Sequence, residues 1–128
     1  MRDLVKLFKA LSDPNRLRIL KMLEVRPMAV CEITSNLELA PSTVSKHLYL
    51  LREAGLVLDE RDGKWVNYRL ARDPGGKQVR ELLALVSAML EGEELVQRDR
   101  ERTQRMDRQE VCRQHNLESA AVGILKGE

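Results

Sequence analysis

The apolar period of this chain changes once, and the place where it changes constrains the fold most. Up to Ala54 the apolar residues recur at helical spacing. Leu4, Leu7, Phe8 and Leu11 make one stripe. Leu17, Leu20 and Leu23 continue after the stop-and-start signal Ser12-Asp13-Pro14, in which Ser12 or Asp13 caps and Pro14 opens a new helix. Pro27 ends that helix. A short helix is expected over Val30–Leu37, and a second over Ser42–Ala54 behind Pro41, with Val44, Leu48 and Leu51 inward and Gly55 as the stop. At Leu56 the period drops to two. Leu56–Arg61 and Lys64–Leu70 read as strands around Asp62-Gly63, where glycine tolerates the positive φ of a tight turn.

Beyond Asp73-Pro74-Gly75-Gly76 a further amphipathic helix carries Val79, Leu82, Leu83, Val86, Met89 and Leu90. Gly92 is a candidate kink, and the charged stretch from Glu93 to about Arg113 reads as helix continuing outward. The expected division is 1–92 as the folded unit and 93–128 as a charged helical extension, frayed over 117–128. Helices followed by one hairpin give a mainly α fold of winged helix-turn-helix type.

Length and composition narrow the function. At 128 residues the chain is one domain. With 43% hydrophobic and 33% charged residues it is globular. It shows no apolar run near the ~18 residues of a membrane span and no signal-peptide pattern at its start, so a cytoplasmic location without a membrane partner is expected. Residues 1–73 carry a net +3 and residues 74–128 a net −1, which permits nucleic acid without demanding it. Aromatics at 3% are too few for single-strand stacking platforms. Cys31 and Cys112 are too few for a disulfide scaffold and are expected to be reduced in a cytosolic chain. No enzyme is expected. His47 and His115 join no nucleophile or carboxylate signature, and Gly75-Gly76 lacks the Lys-Ser/Thr of a phosphate loop.

Val30–Ala54 is the helix-turn-helix, and its second helix offers Ser42, Thr43, Ser45, Lys46 and His47 to base edges and phosphates of duplex DNA. Arg61 and Lys64 at the hairpin tip, and Arg16 and Arg18 in the second helix, are phosphate candidates. The segments Leu11–Leu20, Pro41–Leu48, Leu51–Val57 and Asp62–Leu70, in that order, resemble the arsenic-repressor (ArsR) family of bacterial metal-sensing regulators. The resemblance runs through most of residues 4–72. It implies a homodimeric winged-helix repressor that leaves its operator DNA when an inducer binds.

One departure from the family pattern is Ala40, where the family often has a Ser cap before the recognition helix; the more important ones concern the inducer. Met28-Ala29-Val30-Cys31-Glu32-Ile33 resembles the family's Cys-Val-Cys-Asp-Leu metalloid box, but Ala29 stands at the first cysteine and Thr34 at a third position that is sometimes Cys. Cys31 alone remains, and two readings of it stand: a small buried hydrophobe or a thiolate donor. Cys112, with His115 three residues on, is the other thiol source. The stretch from Asp73 to Gly92 lacks histidine, which counts against the interface zinc site of other family members.

The expected function is a dimeric operator-binding repressor that needs no cofactor, is released by arsenite or antimonite on Cys31 and Cys112, and dimerises through its first and last helices. A redox or non-metal signal is the alternative, as is a protein-interaction module with an idle DNA face.

Overall fold

In the computed structural model, residues 1–114 are described; His115 and the stretch 117–128 lie outside the described residues. The helices begin and end where local chemistry directs. α1 (Arg2–Leu11) stops at Ser12, whose hydroxyl donates to the Lys9 carbonyl at 2.8 Å. α2 (Pro14–Val25) starts on Asp13, the cap of the two candidates: its carboxylate accepts from the Asn15 and Arg16 amides at 2.8 and 3.2 Å. α3 (Val30–Leu37) begins after Ala29, whose amide donates to Glu32 at 3.0 Å, and ends at Glu38 in the left-handed region, φ 58°. α4 (Pro41–Glu53) has no side-chain cap at Ala40 and relies on Pro41 in its first turn.

The sheet has three strands rather than the two expected. β2 (Val57–Asp62) and β3 (Trp65–Leu70) form the antiparallel hairpin, and β1 (Met28–Ala29) pairs with the far edge of β3, giving the order β1-β3-β2. Met28 lies opposite Tyr68 and Ala29 opposite Asn67. The hairpin closes on Asp62 opposite Trp65, so its two-residue loop is Gly63-Lys64, one residue later than expected, with Gly63 at φ 61°.

Ile19, Met22, Met28, Ile33, Val44, Leu48, Leu51, Leu56 and Val57 are the centre of one core shared by α2, α3, α4 and the sheet. Each such side chain contributes roughly 1.5–3 kcal/mol on burial. α4 is therefore fixed from behind. α5 (Lys77–Leu90) buries no residue fully, and Leu85 and Met89 are exposed. On α1, Leu4, Val5 and Phe8 are likewise exposed. Among the described residues no helix is long and apolar enough to cross a membrane.

The charged stretch after Gly92 does not run outward. The chain turns, and α6 (Glu94–Arg105) returns to cover α2 and α3 with Val96, Asp99 and Thr103. Its inner face is largely polar and fully answered. Arg18 donates to both Asp99 carboxylate oxygens at 2.8 and 3.0 Å, and to the Asn36 carbonyl at 3.2 Å. Asn36 donates to the Thr103 hydroxyl at 3.0 Å, which donates to the Asp99 carbonyl at 2.8 Å. A charge that would be costly to bury alone is matched by a bidentate partner. Residues 108–114 are again helical.

Candidate functional site

α3, the Glu38–Ala40 link and α4 make the helix-turn-helix. Because Val44, Leu48 and Leu51 occupy the core, the opposite face of α4 must point outward, and Ser42, Thr43, Ser45 and Lys46 are all exposed. His47 is half-buried, and its Nδ1 lies 3.1 Å from Arg16 Nη1. A guanidinium only donates, so Nδ1 is the acceptor in this contact. The contact therefore holds the imidazole against Arg16 rather than leaving it free on the helix.

Arg16 itself is spent inside the fold. Nε donates to the Ala10 carbonyl and Nη2 to the Lys9 carbonyl, each at 2.9 Å, satisfying the open end of α1. It supports His47 and is not free for a phosphate, which corrects the sequence expectation. Arg18 is corrected in the same way by its pairing with Asp99. At the hairpin tip Arg61 and Lys64 are exposed. Lys64 Nζ sits 4.8 Å from the centroid of the Trp65 ring.

The two cysteines meet. Cys31, in the first turn of α3, and Cys112, in the 108–114 helical segment, form an intrachain disulfide with a Cα–Cα distance of 5.3 Å. The expectation of two reduced thiols is corrected: the return of α6 carries Cys112 to α3 within a single chain. Cys112 is buried and Cys31 half-buried. Beside them opens a polar cavity of about 390 Å³ lined by Cys31, Thr34, Ser35, Glu38 and Gln114, among others. Among the described residues no group of three His, Cys, Asp or Glu side chains could hold a metal ion. Only when reduced would the pair offer two thiolates, a donor set suited to a thiophilic metalloid rather than to zinc.

The sequence pattern described as "Bacterial regulatory protein, arsR family" matches residues 13–58. An HTH-type transcriptional regulator of Methanocaldococcus jannaschii is 39% identical over 66% of this chain and 91% of its own length. The chain belongs to the arsR family. Another relative, the arsenical resistance operon repressor of Escherichia coli, is 46% identical over 52% of this chain and 58% of its own length. The chain thus spans little more than half of that repressor. Among solved structures, the homodimeric winged helix-turn-helix DNA-binding domain of a possible ArsR-family regulator from Mycobacterium bovis superposes with a TM-score of 0.59. It is 33% identical, over 69% of this chain and 78% of that one. The mainly α winged-helix fold expected from the sequence is the fold of these arsR-family regulators.

The arsR-family match ends at residue 58, and beyond it sequence reasoning missed most. Asp99, Thr103 and Arg108 carry polar contacts to the winged unit, yet a search for apolar spacing passes over them. For Asp99 and Thr103 the signal is the order of polar residues on one face of α6, legible only once α2 is known to present Arg18. His115 lies outside the described residues.

Proposed function

We propose that this chain is a DNA-binding transcriptional repressor, acting in the cytoplasm as a two-fold homodimer, whose hold on its operator depends on the chemical state of Cys31 and Cys112. The observation that carries the DNA reading is α4, with one face locked in the core and Ser42, Thr43, Ser45 and Lys46 exposed on the other. Exposed Arg61 and Lys64 extend that face to the wing. No cofactor is needed for this step. The metal-free dimer should bind an inverted repeat, with a salt slope that Arg61→Ala or Lys64→Ala flattens on specific and random duplexes alike. Ser45→Ala should weaken specific binding more than non-specific binding. Salt-independent binding would favour a protein-interaction module instead.

For the effector, the arsenical repressor among the relatives supports arsenite or antimonite. Arsenous acid condenses with two cysteine thiols, forming two As–S bonds and releasing two waters. Shifting the bound form from 99:1 to 1:99 requires about 5.5 kcal/mol in favour of the released state. The disulfide supports a second reading, oxidation, in which the two thiols lose two electrons and two protons to an oxidant such as a peroxide. One titration separates them: operator release by arsenite, antimonite, zinc, cadmium and peroxide on wild type, Cys31→Ser and Cys112→Ser. Loss of the arsenite response in either variant supports the metalloid. Loss of the peroxide response alone supports oxidation. Normal release of both variants by both agents would reject the thiol pair as sensor.

A further inference from the structure

The segment that carries Cys112 also grips the wing. Asp107 starts it by accepting from the Gln109 amide at 3.0 Å. Arg108, one residue later, places its Cζ 4.2 Å from the centroid of Trp65. Both terminal nitrogens of Arg108 donate to Asp62 at 3.3 Å, and Nη1 also donates to the Asn67 side-chain oxygen at 3.1 Å. Asp62 and Trp65 are the closing pair of the hairpin, immediately beside the Gly63-Lys64 tip. Arg108 and Cys112 are four residues apart, so one face of a single helical stretch holds the wing at one end and α3 at the other.

We propose that Arg108 is a positioning residue that ties the wing to the state of the Cys31–Cys112 pair. The inference rests on the reading of that pair as the regulated element. A cation–π contact and a part-exposed ion pair are each weak, and holding a helical turn in one place is opposed by backbone entropy. The disulfide removes most of that opposition by fixing the far end of the turn. Reduction by a dithiol breaks the Sγ–Sγ bond, leaves two cysteine thiols and converts the reductant to its cyclic disulfide. Arg108 then loses its tether and leaves Trp65, and Lys64 and the wing tip lose their fixed position relative to α4.

Trp65 is the chain's single tryptophan, so its fluorescence reads the contact without DNA. In the oxidised wild type Trp65 should be shielded from acrylamide; dithiothreitol should increase its quenching and shift its emission to the red. Cys31→Ser should show the reduced signal in both conditions. Arg108→Ala should show it even when oxidised, and should bring operator affinities with and without dithiothreitol together. Arg108→Lys, which keeps the charge but loses the planar fork, should restore the response only in part. Far-UV circular dichroism confirms that each variant is folded. Coincident quenching of oxidised and reduced wild type overturns the coupling, and so does an Arg108→Ala protein that keeps the wild-type response. A tryptophan response that persists while operator affinity ignores the pair supports the coupling and rejects the regulatory reading instead.

Discussion

Thr34 in α3 is 6% exposed, and among the described residues its hydroxyl oxygen has no hydrogen-bond partner. An unanswered buried hydroxyl costs about 1–3 kcal/mol, so the isosteric Thr34→Val should stabilise by about 1 kcal/mol. A urea midpoint below wild type would show that the hydroxyl is satisfied in solution. Glu91 is the opposite case. Hydrogen bonds from Lys21, then from Arg100, hold its carboxyl at about 2, down from the usual 4.5. A folded-state value below the unfolded one adds stability that is fully present above about 4.5 and is lost as pH falls through about 2. Carboxyl NMR should follow that titration, and Lys21→Met should move it upward. Side chains like these mark the limit of legibility at this scale. The sequence displays the charges of Arg16 and Arg18 but not the carbonyls and carboxylate that absorb them.

Among the elements, α6 departs furthest from expectation. Its inward positions are Val96, Asp99 and Thr103, helically spaced, yet only one is apolar. An apolar-period reading therefore sees a solvated helix where the structure has a polar-faced one bound to its own counterpart. Strand β1 is missed for another reason: two residues are too few to show a period, and its pairing is written in β3. The helices with apolar inner faces were legible because their burial is apolar, and the hairpin because its Asp62-Gly63 turn signal and period of two stand in the sequence. Removing α6 should therefore cost the winged unit dearly. A chain ended at Glu91 takes from Arg18 its carboxylate and from Asn36 the Thr103 hydroxyl, and its denaturant midpoint should fall well below wild type. Asp99→Ala alone should cost about 3–5 kcal/mol, since it strands a buried guanidinium. An unchanged midpoint in either protein would mean that residues 93–128 are an independent extension.

At the scale of the whole molecule, apolar side chains on α1 and α5 remain without a partner among the described residues. Phe8 is 53% exposed, Leu85 60% and Met89 72%. Stripes of this kind mark interfaces, so the protein should sediment as a dimer at micromolar concentration, and Phe8→Glu with Met89→Glu should make it a monomer. A wild-type monomer would leave the two-fold operator model without its symmetry.

Two of the long-range ties, Arg18–Asp99 and Cys31–Cys112, each span 81 positions of chain. Ribosomes add about 5–20 residues per second, so the second member of each tie follows the first by roughly 4–16 s. During synthesis, then, the amino-terminal half waits with a hydrated guanidinium and an open thiol at Cys31. The order of manufacture gives other thiols and oxidants a window on Cys31 that closes when Cys112 arrives.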